Sequence, residues 1–237
     1  MAALNEQYAE LAELAGGFIH EIKNHLSTLG LNLQLLAEDF QEPQSHRERR
    51  ALDRIQRLQT ECGRLVDVSN DFLRFARVKD LELAPTNLCA VVEEMIDFFG
   101  PTARQANIAI KCYLPADLPP LRLDREMFKQ ALLNVMLNAE QAMPEGGELT
   151  VQAGREEACA EGDPARVCLS LIDTGKGMSP EVLARVFRPF FSTKPGGTGL
   201  GLATARKIIE AHGGAIDAQS AVGTGTKFTI RLPVTPC

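Results

Sequence analysis

The sequence predicts two units of different fold class: an α-helical hairpin that pairs with a second copy into a dimeric four-helix bundle, and then an α/β sandwich. Three observations predict this arrangement. Apolar residues recur at helical spacing up to about residue 80. Helical and strand-like segments alternate after Leu83-Ala84-Pro85. A length of 237 residues allows one or two domains with a sizeable core. We therefore divide the chain into residues 1–80 and 84–237.

The first helix is predicted by a seam of apolar residues that recur in steps of three and four, with one extra-residue slip near Ile22. Its members are Leu4, Tyr8, Leu11, Ala15, Phe18, Ile22, Leu26, Leu29, Leu33, Leu36 and Phe40. Such a seam is typical of one face of a helix, so we expect a single long helix.

The second helix follows a polar break at residues 42–46. Its seam consists of Leu52, Ile55, Leu58, Cys62, Leu65, Ser69, Phe72 and Ala76. Two helices joined by a short loop form an antiparallel hairpin. One hairpin cannot cover both seams, so we expect a homodimer. Periodicity alone is equally compatible with a plain coiled-coil spacer.

The second unit shows helical patterns at residues 88–105 and 125–143. Strand-like runs occupy residues 108–114, 148–154, 165–173, 214–220 and 226–232. The acidic residues 156–165 separate two of these runs and are interpreted as a solvated hairpin loop. The glycine- and proline-punctuated segment 175–201 is long for a compact domain, which indicates a mobile lid over a site.

The composition excludes several classes of protein. Hydrophobic residues at 45% and charged residues at 24% are ordinary globular values. A net charge of -6 argues against a nucleic-acid binder that works through bulk charge. No apolar run is long enough for a membrane span, and the N-terminus lacks the pattern of a signal peptide, so we expect a cytoplasmic protein. The six cysteines are scattered without a CxxC pair, which suggests neither zinc nor disulfides.

His20 is the most informative residue of the helical half. At about 100° per residue it points roughly 200° away from Phe18 and Ile22, which are both seam residues, so we expect it to face solvent. Glu21 can orient an imidazole, and Asn24 lies one turn on, on the same face. Taken alone, this motif is also compatible with a surface histidine in a charged stripe.

The second unit contains the parts of a nucleotide site. Asn134 and Asn138 lie one helical turn apart, so their carboxamide oxygens could face one Mg²⁺ ion, although such a pair also occurs on ordinary polar faces. Asp173 follows a strand and offers acceptors suited to an exocyclic amine. Gly175 and Gly177 permit close backbone approach or positive φ.

Four further glycines precede the last predicted helix. They are Gly196, Gly197, Gly199 and Gly201. The free amides and the positive dipole end of that helix can hold phosphate. The spacing differs from the P-loop motif, and nothing places it as the first turn of a dinucleotide-binding fold.

In this order, the segments resemble the motifs of sensor histidine kinases of two-component signalling. The matching boxes are HEIKN (phosphoacceptor), NVMLNA (N box), DTGKGM (first glycine box), FRPFFSTK (phenylalanine box), GTGLGL (second glycine box) and GTGTKFTIRLP (closing strand). The resemblance covers essentially the whole chain and is strongest to the nitrogen-regulation branch, because PFFSTK runs directly into GTGLGL. It implies a dimerisation and phosphotransfer bundle, then a Bergerat-type ATP-binding domain of the kind found in gyrase, MutL and heat-shock chaperone ATPases.

The resemblance also implies roles for the helical residues. His20 would attack the γ-phosphorus of ATP, and Glu21 would hold the other ring nitrogen. The phosphoryl group would then pass to an aspartate of a response-regulator receiver domain. Asn24 matches the family position that orients water for dephosphorylation of that partner, so a second, phosphatase activity is plausible.

In the ATP-binding domain, Asn138 with Asn134 would hold Mg²⁺, and Asp173 would recognise the adenine amino group. Gly175, Gly177 and Thr226 would lie nearby. The phosphates would be neutralised by Lys194 and by the backbone around Thr198, Gly199, Leu200 and Gly201. The lid would be anchored to the domain by Phe187, Phe190 and Phe191.

One residue departs from the family pattern. The family usually has proline five residues after the phosphoacceptor, where this chain has His25. Without the proline, the first helix either runs straighter or bends by another device. His25 is also a second candidate phosphoacceptor, ranked below His20 because no acidic residue follows it directly.

Two other functions stay open at this point. One is an ATPase of the gyrase or chaperone type, although Glu140 lies two residues past Asn138 and such a clamp has no use for His20. The other is a degenerate scaffold kinase that binds a response regulator without phosphotransfer. Because the first helix begins near Met1 and leaves no room for a sensor domain, we expect that a sensor was removed or resides on a separate protein.

Overall fold

The structure is a computed structural model that describes the backbone of residues 2–76, 78, 81–156, 165–194 and 197–234. The side chains at positions 2–18 and 20 lie outside the described residues. The chain divides into two compact units. The helical unit comprises Met1–Arg77 and Lys194–Thr198, and the α/β unit comprises Val78–Thr193 and Gly199–Cys237.

Two helices, α1 (Ala2–Glu38) and α2 (His46–Ala76), pack against each other in the helical unit. A reciprocal capping box starts α2. Ser45 Oγ accepts from the Glu48 amide at 3.2 Å, and Glu48 Oε2 accepts from the Ser45 amide at 3.2 Å. The prediction of two helices joined by a short polar segment is therefore confirmed.

The hairpin leaves large apolar side chains in solvent. In α2 the buried residues are Ile55, Ser69 and Ala76. The exposed leucines of the two helices are Leu29, Leu31, Leu35, Leu36, Leu58 and Leu65. Four of them, namely Leu29, Leu36, Leu58 and Leu65, belong to the predicted seams. Two helices share only one mutual surface, so a single hairpin cannot bury the full width of both seams.

The α/β unit consists of seven strands and four helices within the described residues. They are β1 (Ala84–Thr86), α3 (Leu88–Gln105), β2 (Ile108–Tyr113), β3 (Leu121–Leu123), α4 (Arg125–Ala142), β4 (Gly147–Glu156), β5 (Arg166–Asp173), α5 (Pro180–Leu183), α6 (Gly201–Ala211), β6 (Ala215–Ala221) and β7 (Gly225–Pro233). All five predicted strands and the three longer helices are found. The structure adds β1, β3 and α5, which are too short to show a periodicity.

The main sheet has the strand order β2-β4-β5-β7-β6. Only β2 and β4 pair in parallel, because α4 crosses over between them, and the other pairs are antiparallel. A small separate sheet pairs β1 with β3. The ends of β4 and β5 pair at Glu156 and Arg166 as a hairpin would, whereas residues 157–164 of the predicted loop lie outside the described residues.

Helices α3, α4 and α6 cover one face of the main sheet. Alternate residues of β5, namely Val167, Leu169 and Leu171, point into this core together with Phe228 and Ile230 of β7. The result is a two-layer α/β sandwich, as predicted. Among the described residues, no helix is both long enough and apolar enough to cross a membrane.

Candidate active site

Asp173 is the last residue of β5 and shares the core-facing side of that strand. The side chain is 2% exposed. A buried carboxylate needs hydrogen-bond donors, and Oδ1 accepts from the Gly175 amide at 2.9 Å and from the Thr226 amide at 3.2 Å. These two bonds fix the orientation of the carboxylate. Oδ2 is buried as well.

Thr226 is the neighbour of Asp173 across β5 and β7, and its side chain is buried. Its hydroxyl lies 2.9 Å from Ser220 Oγ. Ser220 donates its single proton to the Gly225 carbonyl at 2.8 Å, so Thr226 is the donor in this pair. Ser220 also accepts from the Met178 amide at 2.9 Å. Sequence reasoning missed Ser220, which gives no signal beyond its place in a strand.

The turn after Asp173 lies against the C-terminal end of α4. A side chain at Gly175 would place its Cβ 2.6 Å from the Ala142 carbonyl oxygen, and the Lys176 amide donates to that oxygen at 3.0 Å. Gly177 has a φ of +65°, and a Cβ there would lie 1.9 Å from the Ala221 carbonyl oxygen. Only glycine fits this position, since it has both a left-handed backbone and no room for a side chain.

Asn134 and Asn138 are half-buried on the same face of α4 as Ala142, at successive steps of four residues. A Cβ at Gly201 would lie 3.7 Å from Asn134 Oδ1, an ordinary van der Waals distance. The first residue of α6 is therefore beside Asn134. The first glycine box meets α4 at Ala142, eight residues or roughly 12 Å further along the helix.

The N-terminus of α6 has no side-chain cap within the described residues. Its first amides have no acceptor inside the helix, and the helix dipole adds partial positive charge there. Leu200 precedes the helix and is fully buried. Its carbonyl accepts from the amide and the hydroxyl of Thr204, at 2.8 and 2.7 Å. These contacts hold the start of α6 in place.

Gly199 connects the second glycine box to the phenylalanine box. It has a φ of +67°, and a Cβ there would lie 2.6 Å from the backbone of both Phe190 and Phe191. Phe190 itself has a φ of +61°, which is uncommon for a bulky residue, and is 61% exposed. The structure therefore concentrates backbone strain where the two boxes meet.

One of the three phenylalanines predicted to anchor the lid contacts the core of the α/β unit. Phe187 packs edge to face on core residue Phe228, with the ring centroids 6.2 Å apart. The Arg185 guanidinium lies 4.3 Å from the ring centroid of Phe191. Phe190 is exposed, and the anchoring roles of Phe190 and Phe191 stay predictions.

Lys194 and Thr198 lie in the segment that groups with the helical unit. Thr198 Oγ1 donates to Asp71 Oδ2 on α2 at 2.8 Å. The structure therefore does not place these two residues with the cluster around Asn134 and Asp173, and their phosphate contacts stay a prediction. Residues 195–196, which include Gly196, lie outside the described residues.

Position 20 lies within α1, but its side chain lies outside the described residues, as does that of Phe18, so the predicted solvent-facing histidine is not described. Glu21, Asn24 and His25 are exposed. The helix continues through His25 to Glu38. Asn24, Leu31 and Leu35 follow one another at steps of seven and four residues, which places them on one exposed face of α1.

The cluster in the α/β unit fits a magnesium nucleotide. Two carboxamide oxygens on α4 are ligands that Mg²⁺ accepts together with water and phosphate oxygens. The cradle between Asn134 and Gly201 would be filled by a single Cβ. Asp173 lies at the other end, where a carboxylate with a fixed orientation can accept from an amine. The roughly 12 Å between the two ends is comparable to the length of an extended nucleoside triphosphate.

Comparisons with known proteins agree with this fit. Residues 123–236 match the family described as histidine kinase-, DNA gyrase B-, and HSP90-like ATPase. Sensor histidine kinase ZraS of Klebsiella oxytoca is 37% identical over 98% of this chain, which spans about half (48%) of that relative. ZraS is described as a sensor histidine kinase with no mention of nitrogen regulation, so the predicted nitrogen-regulation branch is not confirmed.

Two solved structures are similar to this chain, and their alignments cover different fractions of it. Full-length ShkA in complex with AMPPNP aligns with a TM-score of 0.69 and 29% identity, over 98% of this chain and 46% of that protein. The catalytic domain of histidine kinase ThkA aligns with a TM-score of 0.56 and 31% identity, over 66% of this chain and 100% of that domain.

Proposed function

Because the chain belongs to the sensor histidine kinase family, we propose that it transfers the γ-phosphoryl group of Mg-ATP to His20. The observation that carries this proposal is the arrangement along α4, where Asn134 meets the uncapped start of α6 and Ala142 meets the turn after Asp173. One helix face thus brings together a phosphate-binding end and an adenine-binding end. Residues 84–237 would form the catalytic ATP-binding domain.

Each residue of that domain has a defined task. Asp173 would accept a hydrogen bond from the adenine amino group, with Thr226, Gly175 and Gly177 shaping the wall around it. Asn138 and Asn134 would hold Mg²⁺, which supplies neutralisation of phosphate charge when bound. The amides from Gly199 to Gly201 would bind phosphate oxygens at the α6 N-terminus, with Lys194 and Thr198 completing the lid.

The phosphotransfer would use two residues of α1, His20 and Glu21. Imidazole has an unperturbed pKa of about 6.5, so a histidine is mostly neutral at pH 7 and can act as a nucleophile. A bond would form between His20 Nε2 and the γ-phosphorus as the bond from that phosphorus to the β–γ bridging oxygen breaks, and ADP leaves. Glu21 would hold the Nδ1 proton and stabilise the charge that develops on the ring.

Residues 1–80 would form the dimerisation and histidine-phosphotransfer hairpin. The seam leucines Leu29, Leu36, Leu58 and Leu65 are each at least 43% exposed in a single chain. Full burial of an exposed leucine stabilises by about 1.5–3 kcal/mol. These four side chains are only about half exposed, so a second copy that covers them gains about half of that amount for each. A four-helix bundle of two hairpins is the arrangement that covers both seams.

The phosphoryl group would then pass from His20 to an aspartate of a response-regulator receiver domain. We propose that the receiver docks on the face of α1 that carries Asn24, Leu31 and Leu35, because these leucines lie outside the dimer seam and are more than half exposed. Asn24 would orient water when the chain acts as a phosphatase. The reaction would take place in the cytoplasm, where ATP is plentiful, under control of a sensor region or a separate sensor protein.

Incubation with γ-labelled ATP and Mg²⁺ tests this function. We expect an acid-labile label on the wild-type chain, no label on His20→Gln, and a retained label on the matched control His25→Gln. Phosphate release without a labelled chain would instead support a gyrase- or chaperone-type ATPase. Neither label nor release would support a scaffold kinase. The relatives named above favour the kinase over both alternatives.

A further inference from the structure

His212, the residue that ends α6, uses both of its ring nitrogens. The side chain is 6% exposed. Nδ1 lies 2.8 Å from the Ile208 carbonyl, which can only accept, so Nδ1 carries the proton. Nε2 accepts from the Asp124 amide at 3.0 Å. The ring also packs edge to face on the buried Phe128, with the centroids 6.1 Å apart. The imidazole is thus fixed on every side.

Asp124, the partner of His212, is the N-cap residue of α4. Its Oδ1 accepts from the Met127 amide at 3.1 Å, and its Oδ2 accepts from the Glu82 amide at 3.0 Å. Glu82 lies two residues before β1, near the point where the chain enters the α/β unit. Asp124 therefore connects three elements: its amide contacts the end of α6, and its carboxylate caps the start of α4 and holds the entering segment.

Helix α6 packs along α4, and two of the contacts between them lie at the ends of α6, of which this is one. The other is at the opposite end of α6, where Gly201 is beside Asn134. Eleven residues of α6 and ten residues of α4 separate the two contacts, so the helices run antiparallel and are joined at points roughly 15 Å apart. Asn134 belongs to the candidate nucleotide site, whereas His212 and Asp124 lie outside it.

We propose that His212 is a positioning residue that holds α6 in the register in which its N-terminal amides meet the ATP phosphates. The inference rests on the proposed function, since it concerns the phosphate half of the same site. Loss of the Nε2 acceptor removes the partner of the partly buried Asp124 amide and allows α6 to slide or tilt on α4. Adenine recognition does not depend on this register, because Asp173 belongs to β5.

Two substitutions separate the two hydrogen bonds. In His212→Gln the longer side chain can place an oxygen near the position of Nε2 and accept from the Asp124 amide. In His212→Asn the shorter side chain reaches only the Ile208 carbonyl. The core substitution Phe99→Leu on α3 serves as a control, because it weakens packing without touching either contact.

The experiment measures the affinity of the full chain for two probes, AMPPNP with Mg²⁺ and adenosine, together with the thermal unfolding midpoint. For His212→Asn we expect the Kd for AMPPNP to rise about tenfold while the Kd for adenosine stays unchanged. His212→Gln is expected to restore AMPPNP binding to near the wild-type value. Phe99→Leu is expected to lower the midpoint without changing the ratio of the two affinities.

Equal losses for both probes, or normal AMPPNP binding in His212→Asn, would overturn the inference and assign His212 a purely structural role. Failure of the wild-type chain to bind AMPPNP would overturn the proposed function instead. If His212→Asn does not fold, hydrogen exchange of the wild-type chain decides the question. Binding of AMPPNP should then increase protection of the Asp124 amide, and unchanged protection would contradict the coupling.

Discussion

The two units of this protein differ in how completely each buries its own apolar side chains. The α/β unit encloses Phe99, Phe128 and Phe228 almost fully between its helices and its sheet. The described part of the hairpin instead leaves six leucines at least 43% exposed. A sheet covered by helices closes its own core, whereas two helices share a single contact surface. The difference teaches that the α/β unit buries its own core, whereas the hairpin leaves apolar surface that the proposed second copy would cover.

The largest expected effect comes from adding charge to the dimer seam. Leu29→Glu with Leu36→Glu should convert a dimer into monomers, because two carboxylates per chain would be buried in a seam that four leucines otherwise fill. Sedimentation of the full chain would measure the mass. The α/β unit should keep its nucleotide affinity, since none of its core residues is changed.

The matched control places the same charges on the other exposed face of α1. Leu31→Glu with Leu35→Glu should remain dimeric and become labelled on His20, yet pass its phosphoryl group to the receiver domain more slowly. If the variant at Leu31 and Leu35 dissociates while the variant at Leu29 and Leu36 stays dimeric, the dimer face and the receiver-docking face have been exchanged.

A side chain at Gly177 should produce the next largest effect, confined to the α/β unit. In Gly177→Ala the new Cβ would lie 1.9 Å from the Ala221 carbonyl oxygen on a left-handed backbone, so we expect a loss of about 2 kcal/mol or more of unfolding free energy. Urea unfolding followed by circular dichroism would measure it. A simultaneous loss of dimer would contradict the view that the units are independently stable.

Gly201→Ala separates stability from binding in the same unit. The new methyl group meets Asn134 Oδ1 at 3.7 Å, an ordinary contact, and alanine favours helix by up to about 1 kcal/mol over glycine. We expect an unchanged or raised unfolding midpoint together with weaker AMPPNP binding, because the methyl group fills the cradle. Normal binding by calorimetry would show that the phosphates do not enter there.

The smallest effect concerns the turn of the hairpin. The pKa of Glu48 is lowered mainly by the hydrogen bond from the Gln44 amide at 2.6 Å, and then by Ser45. A lowered folded-state pKa means that this stabilisation is present above the ordinary value of 4.5 and is lost as pH falls through the folded-state value. In the Glu48→Gln variant, the free energy of unfolding of the hairpin should fall slightly less as the pH is lowered. An unchanged fall would show that this cap does not cause the acid sensitivity.

Local patterns predicted much of the fold. The spacing between successive apolar residues was enough to predict the two helical seams. Alternation of apolar and polar residues over six to ten positions was enough to predict the five strands. The short elements β1, β3 and α5 contain too few residues for either pattern. The capping box of Ser45 and Glu48 and the N-cap of Ser179 before Pro180 did leave signals in the sequence that could have located α2 and α5 more closely.

Local spacing likewise predicted some features of the candidate site and missed others. Asn134 and Asn138 share a helix face by spacing alone, and Asp173 ends a strand by pattern alone. Nothing local indicated that Ser220 joins Thr226 to Met178, or that Phe190 is exposed with a left-handed backbone. Those features result from strand order and from turns between elements, which short-range spacing does not encode.

The sequence by itself determined which residues could do chemistry and on which elements they lie, because helix and strand periodicities are properties of adjacent residues. Only the tertiary structure decided which of them meet. The Asp124 amide reaches His212 across 88 residues, and Gly201 comes to Asn134 from a different helix. Such long-range contacts depend on how whole helices and strands pack, which is the sum of many weak interactions that no single motif records.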